Sequence, residues 1–388
     1  MADVIRKNTV IGLEPEVTEG TYVAPSGTGS YIQTLPGYSW TPAMELLDRQ
    51  VLSGGLGSVK PLLGNKTVTA ALPVEFRASG TEGGQPDFHQ LLLGALGATR
   101  NYASATTSTT SHTSTVINLT SGDGDDFAVG DMVIVKKSGS HEMRPISAKT
   151  TNSITFPFAL NGGAPGNGVE ISRFQTYYVA ETGHPSLSVS VYEGNEMRAC
   201  AIGTKVNSLS FDNFSSGQIA SFNFGLSGLN YTYTNAAAPH TPAYDSVTPP
   251  IIVNACIWKS GVEMAVNSFS LSLTNELAPK RTTCAINSQV PSSRAVSGTA
   301  TVYLSDTSTV DFDAFVAGTS FSLFGYAYNP SSTAGEIAMG SAVGFYLPNC
   351  ITTGYNLVDI DGISGAEIAW RAHTGVAGGT PELYIGMV

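Results

Sequence analysis

Residues 67–78, TVTAALPVEFRA, decide the fold class of this sequence. Apolar side chains occupy every second position from Val68 to Phe76, and this period of two is typical of a β-strand with one buried face. Pro73 lies on the polar face, which favours an edge position or a bulge. Similar short alternating segments recur through most of the chain, so we expect a mainly β fold.

Residues 87–97, DFHQLLLGALG, are the clearest exception to this pattern. Their apolar residues recur every three or four positions from Phe88 to Ala95, which predicts a short helix with one buried side. We expect Asp87 to cap the helix N-terminus and Gly97 to end the helix.

The composition agrees with a β-rich globular protein. The chain has 388 residues, of which 42% are hydrophobic and only 13% are charged, so the polar faces of its strands are rich in hydroxyl groups. The formal charge of -11 excludes a protein that grips nucleic acid through a basic stripe. The same charge also fits an ordinary soluble surface.

Turn-rich and Pro/Ala-rich segments divide the chain into parts. Residues 1–36 contain closely spaced turn formers and predict an extended arm, and the segment NAAAPHTPAYDSVTPP predicts a linker. Short strands after a Ser/Thr tract predict a small β-barrel or sandwich inserted as its own unit. The expected division is an arm at 1–36, a first domain at 37–104 and 175–234, an insertion at 105–174, a linker at 235–250 and a second domain at 251–388.

An internal repeat is the most informative feature. Each half contains an opening strand, a long loop with Glu-Leu followed by Arg, an alternating strand and a short Asp-Phe helix. The matching residues are Glu45, Leu46, Arg49 and Asp87-Phe88 in the first half, and Glu276, Leu277, Arg281 and Asp311-Phe312 in the second. The order and spacing of these features predict a duplicated domain.

Most of the chain outside the insertion resembles the major tail tube proteins of siphophages, which are bacteriophages with long non-contractile tails. The resemblance is carried by the segments EVTEGTYVAPS (16–26), GYSWTPAMELLDRQVLSGGLGSVKPLLGNKTVTAALPVEFRASGT (37–81), DFHQLLLGALGA (87–98), SFSLSLTNELAPKR (268–281) and DIDGISGAEIAWR (359–371).

The resemblance implies β-sandwich-like tube domains, each with one helix, whose strands join those of neighbouring subunits in a closed barrel around a DNA channel. It also implies a virion tail protein, assembled in the host cytoplasm, with itself and the tape-measure, tail terminator and distal tail proteins as partners. Simple family members form six-subunit rings, so a chain with two tube domains predicts a trimeric ring with pseudo-sixfold symmetry. Head-to-tail stacking of such rings gives a tube.

Two sets of residues are candidates for function. The polar positions of the alternating strands predict a channel lining that lets DNA pass without tight binding. The lining candidates are Thr69, Glu75, Ser188, Ser190, Ser270 and Ser272. The long loops at 45–66 and 276–298 are expected to contact other subunits or rings. Their candidates are Glu45, Arg49, Lys60, Glu276, Arg281 and Arg294. The insertion is expected to project outward, and its deletion to leave tubes intact if it is decoration.

No motif predicts catalytic, cofactor-binding or metal-binding residues. The six histidines lack metal-ligand spacing, and helix capping or turn formation explains carboxylate pairs such as Asp311 and Asp313. The four cysteines are widely separated and are expected to be reduced, buried thiols, with a disulfide as the alternative. We expect no membrane span. The alternative functions are another phage structural β protein (a tail fibre, distal tail or decoration protein), a host adhesin or a depolymerase.

Overall fold

A computed structural model describes residues 4–51, 59–102, 106–253, 255–283, 288–304, 309–376 and 379–388. The described chain is mainly β, as predicted. The first half contains ten strands: β1 (Val10–Pro15), β2 (Tyr31–Ile32), β3 (Ser39–Leu47), β4 (Leu62–Glu75), β5 (Gly97–Tyr102) and, after the insertion, β13 (Phe174–Val179), β14 (Leu187–Glu193), β15 (Met197–Asp212), β16 (Ser221–Gly228) and β17 (Asn230–Asn235).

The insertion and the second half supply the remaining strands. The insertion contains β6 (Thr106–Thr107), β7 (Val116–Asn118), β8 (Met132–Lys137), β9 (Ser140–Pro145), β10 (Ala148–Thr150), β11 (Ser153–Thr155) and β12 (Glu170–Ile171). The second half contains β18 (Ala255–Lys259), β19 (Val262–Glu263), β20 (Val266–Lys280), β21 (Ser288–Tyr303), β22 (Phe321–Ala327), β23 (Val343–Ile360), β24 (Ile363–Ala372) and β25 (Tyr384–Met387).

One antiparallel sheet of eight strands runs through both halves, in the order β3–β4–β16–β15–β20–β21–β24–β23. We call it the shared sheet. Its first four strands come from the first half and its last four from the second. In the first half the hairpin β3–β4 is followed by the hairpin β16–β15, and in the second half β20–β21 is followed by β24–β23. The two halves therefore have the same topology.

Irregularities in the strands repeat as well. The register shift at Val206/Ser208 in β15 has its counterpart at Thr352/Gly354 in β23. A second register shift lies at Leu187/Val189 in β14 and has its counterpart at Phe321/Leu323 in β22. A third lies at Met44/Leu46 in β3 and has its counterpart at Glu276/Leu277 in β20. Because a bulge costs pairing and is placed for a local purpose, three matching bulges support the duplication beyond strand order alone.

A second layer packs on the shared sheet in each half. In the first half β2, β1 and β14 pair in order and β14 continues onto the first part of β15. In the second half the matching order is β19, β18 and β22, and β22 pairs with the first part of β23. This layer is extended by β25, which also pairs with β23, and then by β13 and β5. The apolar core between the layers is rich in aromatic rings, such as Phe269 stacked 4.8 Å from Phe345 and 5.8 Å from Trp370.

The described part of the chain contains two α-helices at equivalent places, α1 (His89–Leu96) on β15 and α2 (Thr309–Ala317) on β23. Gly97 ends α1 in the left-handed conformation at φ 94°, as predicted, because this backbone angle is strained for residues with a Cβ. Capping by Asp87 is wrong: the N-cap position is Phe88, without a side-chain cap. Neither helix is long and apolar enough to cross a membrane.

Asp87 instead belongs to a buried ion-pair cluster. Its carboxylate accepts a 2.7 Å hydrogen bond from the Arg77 guanidinium, and both side chains are almost fully buried. Asp245, in the expected linker, lies 3.6 Å from Arg77 and accepts a hydrogen bond from the Asp87 amide at 2.8 Å. Burial raises the pKa of Asp87, although Arg77 opposes this shift. The cluster therefore attaches the segment at 235–250 to the first half.

The segment at 1–36, expected to be an extended arm, contains two strands. All six residues of β1 pair with β14, which is a regular part of the second layer. The connection from β1 to β2 lies over β14 and β15, where Glu16 accepts hydrogen bonds from Ser186, Ser188 and the Gly203 amide. Within this segment, β1 and β2 are therefore ordered by the chain itself.

The insertion forms two small sheets, β6–β12–β8–β9 and β7–β11–β10. Its core continues into the second half, because Phe158 of the insertion stacks on Trp258 at 6.1 Å and packs on Phe324 at 5.6 Å. The guanidinium of Arg144 lies over the Phe158 and Trp258 rings. The insertion is thus joined to the second layer of the second half by a common aromatic core.

Candidate functional site: the open face and free edges of the shared sheet

The shared sheet has one apolar face in the core and one polar face that the chain leaves open. Register places Ser210 beside Ser272 and Ser272 beside Ser297, so one row of hydroxyl groups crosses the boundary between the halves. Of the predicted lining residues, Thr69 is exposed on this face, whereas Glu75, Ser270 and Ser272 are half-buried on it. The structure thus brings four of the six candidates onto one open surface.

Charges on this open face are few and mixed. Glu75, Asp212 and Glu367 are half-buried there. The cations on or beside this face include Lys205, 3.5 Å from Glu19, exposed Arg371, and buried Arg77, 3.7 Å from Glu75. Such a face has no cluster of cations to hold a chain of phosphates.

Ser188 and Ser190 were predicted to share this face, and that prediction is wrong. Both lie in β14 of the second layer and are almost fully buried. Ser188 Oγ donates to Glu16 at 2.9 Å and accepts from the Val23 amide at 3.0 Å. Their alternation is real, but their polar side faces the β1–β2 connection and not solvent.

The segments expected to be long loops are largely long hairpins. Strands β3 and β4 pair from Ser39 to Leu47, and β20 pairs with β21 to its end at Lys280. Parts of the two connections, 52–58 and 284–287, lie outside the described residues. Arg49, Lys60 and Arg281 are exposed outside the regular strands.

Glu45 and Glu276 are in strands and occupy equivalent places. Glu45 accepts a 2.9 Å hydrogen bond from the Asn65 amide, which lowers the pKa of Glu45, and Ser293 donates to Glu276 at 2.6 Å. Each carboxylate thus bonds across its own hairpin.

Arg294, also a contact candidate, bridges the two halves within one chain. Its guanidinium donates to Glu382 at 2.7 Å and to Glu181 at 3.2 Å. Glu181 follows β13 near the C-terminal end of α1, so this residue fixes the second hairpin to the first half.

The boundary between the halves is a continuous strand junction, which we call the internal junction. Residues 208–211 of β15 pair with 271–274 of β20. Buried Asn275, next to this pairing, donates to the Ala95 carbonyl at the C-terminal end of α1 at 2.8 Å. Gln289 donates to the Gly203 and Ser227 carbonyls at 3.1 and 3.0 Å. Strand pairing, a helix end and side-chain hydrogen bonds together make this boundary a part of the core.

The two ends of the shared sheet have no such partner within the described residues. In the strand ladders of the described residues, β3 pairs only with β4, and residues 351–360 of β23 pair only with β24. Unpaired edges are sites where another chain can add strands. The sequence did not indicate these edges. The contrast that marks one of them is structural, because Leu357 of β23 is exposed whereas Phe211, its counterpart in β15, is buried.

The described cysteines carry no disulfide. Cys200 and Cys350 are buried and Cys256 is half-buried, while Cys284 lies outside the described residues. Burial raises the pKa of both Cys200 and Cys256 to about 11, so these thiols stay protonated at neutral pH.

Comparison with known proteins gives one family. A family model described as phage tail tube protein matches residues 7–372. The search of curated proteins found no match.

Proposed function

Since this chain belongs to the phage tail tube protein family, whose members are structural proteins of the virion tail, we propose that it is the major tail tube subunit of a long-tailed phage. Rings of the chain stack into the conduit through which DNA leaves the virion. The observation that carries the proposal is the shared sheet, which has one open polar face and, in the described part of the chain, two edges without a further strand.

Three chains form one ring in this proposal. Each chain supplies eight strands to the shared sheet, so three chains give a closed wall of 24 strands. With strands about 4.8 Å apart and tilted by about 35–45°, facing backbones of such a barrel lie about 45–52 Å apart. This leaves room for duplex DNA inside the side chains. Six chains would give about 90–100 Å, far wider than the duplex needs.

The open polar face lines the channel. Hydroxyl and amide groups predominate on it, and its few carboxylates repel phosphate. DNA then moves along the wall without a multidentate grip from Arg or Lys. The described residues that carry this role are Thr69, Glu75, Ser270 and Ser272, together with Ser210.

The domain division at 37–104 with 175–234 and at 251–388 is part of the same proposal, and matching topology and bulges support it. The insertion at 105–174 lies on the layer remote from the channel, hence outside the tube. Partners are neighbouring copies of the chain and the tape-measure, tail terminator and distal tail proteins. Assembly takes place in the host cytoplasm.

Microscopy of the purified chain tests this function. We expect the protein to form hollow tubes or closed rings in negative stain at high concentration. Isolated spikes, or a protein that stays monomeric at all concentrations, would contradict the proposal and favour a tail fibre or decoration protein.

A further inference from the structure

We propose that the free edge of β23 binds β3 of a second copy in the register of the internal junction, and that α2 covers this contact as α1 covers the internal one. The inference rests on the proposed ring, and it specifies which residues meet between chains. It predicts four residue pairs: Gly354 with Ala43, Tyr355 with Pro42, Asn356 with Thr41 and Leu357 with Trp40.

The register follows from the repeat. Matching bulges align Val206/Ser208 with Thr352/Gly354, so residues 208–211 correspond to 354–357. The hairpins β3–β4 and β20–β21 align at their own bulges. Met44 pairs with Lys66 beside the bulge of the first hairpin, and Asn275 pairs with Arg294 beside the bulge of the second, so the two pairs correspond. Residues 271–274 therefore correspond to 40–43. The internal pairing of 208–211 with 271–274 then transfers directly to 354–357 and 40–43.

The chemistry of the predicted pairs matches that of the internal ones. On the polar face, Asn356 and Thr41 replace the internal pair Ser210 and Ser272. On the core face, Leu357 and Trp40 replace Phe211 and Leu271, which again combines one aromatic with one aliphatic side chain. A slip of one residue would turn every side chain to the opposite face, so only this register and those shifted by an even number of residues keep the channel polar and the core apolar. The internal junction selects this register among them.

Exposure points to the same contact. Leu357 is 74% exposed, whereas its counterpart Phe211 at the internal junction is 2% exposed. On the other edge, Pro42 is exposed while its counterpart Leu273 is fully buried. These apolar groups lie where the internal junction buries the equivalent ones, so a second copy is the partner of matching shape.

Helix α2 adds an apolar surface beside the edge. Phe312 is 49% and Val316 70% exposed, and the Phe312 ring lies 5.6 Å from Tyr355 of β23. At the internal junction the corresponding helix end meets Asn275, whose counterpart on the incoming strand is Met44. An apolar Met in place of a polar Asn suits a helix that presents apolar groups, and its flexible side chain fills irregular gaps.

Engineered disulfides test the register. Paired Cα atoms in an antiparallel sheet are about 4.5–5.5 Å apart, which is within the disulfide range, whereas positions shifted by two residues are about 7–8 Å apart. The test variant carries T41C and N356C in one chain. The register control carries T41C and V358C, and the geometric control carries S210C and S272C at the internal junction. Each is assembled, oxidised and analysed on non-reducing gels beside its single-cysteine variants.

The proposal predicts that T41C/N356C gives covalent species up to three chains, that S210C/S272C forms a bridge within one chain, and that T41C/V358C crosslinks at least tenfold less. If rings are seen by microscopy but T41C/N356C does not crosslink, or T41C/V358C crosslinks better, the register is wrong while the tube function stands. If the unmodified chain never forms rings, the tube function fails and the junction with it.

Discussion

Leu357 and Phe211 occupy equivalent places in the two halves, so truncating each one separates the stability of the chain from the stability of the ring. Phe211 is buried inside a single chain, and Phe211→Ala should lower its free energy of unfolding by about 3–5 kcal/mol. For a chain of this length, that lowers the melting temperature by about 4–6 °C. Leu357 is mostly exposed in one chain, so Leu357→Ala should change the same free energy by less than about 0.5 kcal/mol.

The ring should respond in the opposite way. In the proposed ring, Leu357→Ala removes apolar contacts at each of three junctions, and about 2 kcal/mol per junction gives about 6 kcal/mol per ring. Because about 1.4 kcal/mol is tenfold in an equilibrium constant, and half-assembly of a trimer scales as the square root of that constant, the half-assembly concentration rises about 10²-fold.

Sedimentation velocity over a dilution series measures ring formation, and calorimetry of the dilute monomer measures its stability. If Leu357→Ala destabilises the monomer as much as Phe211→Ala does, or leaves ring formation unchanged, Leu357 does not lie at a junction between chains.

Three further predictions concern the body of the chain. Arg77→Met leaves Asp87 buried without its cation and should cost about 3–5 kcal/mol. The folded-state pKa of Asp87 is already raised and rises further in this variant. Because a raised folded-state pKa favours folding only while Asp87 is protonated, this contribution is lost as pH rises. The loss of unfolding free energy caused by Arg77→Met, measured by chemical denaturation, should therefore be largest near pH 7 and shrink towards pH 5. A loss that grows on acidification would contradict this. Ser188→Lys should prevent folding or lower the melting temperature by several degrees because it buries an ammonium group, whereas Ser272→Lys, on the open face, should fold normally by circular dichroism; equal effects would contradict the assignment of faces. Deletion of 106–173 should give an aggregating chain with increased binding of a hydrophobic dye, because it uncovers the aromatic core around Trp258, and a stable monomer would show that the insertion is independent.

The sequence predicted features that depend on local periodicity. Alternation from Val68 to Phe76 became β4, Gly97 ended α1, and the order of elements in the two halves gave the same topology twice. Pro73 fits as well, because β3 begins at Ser39 opposite Ala71, so Pro73 has no β3 residue beside it, and its carbonyl accepts a hydrogen bond from the Leu35 amide. These features could be predicted because each is determined by residues that are close together in the sequence.

Features that depend on distant residues could not be predicted. Asp87 accepts a hydrogen bond from the Arg77 guanidinium and does not cap α1, since a buried cation attracts a carboxylate more strongly than backbone amides do. Ser188 alternates as an open strand does, but whether its polar side meets solvent is decided by the β1–β2 connection far away in sequence. The free edges also depend on how the whole sheet is assembled. The exposure of Leu357 could be interpreted only after comparison with Phe211, its buried counterpart.

The number of chains around one ring is the most direct test of the account. Cryo-electron microscopy of the assembled tube should show threefold symmetry with a continuous inner wall of 24 strands, in which β23 of each chain pairs with β3 of the next. Six chains in a ring, or an inner wall interrupted between β23 and β3, would contradict the account.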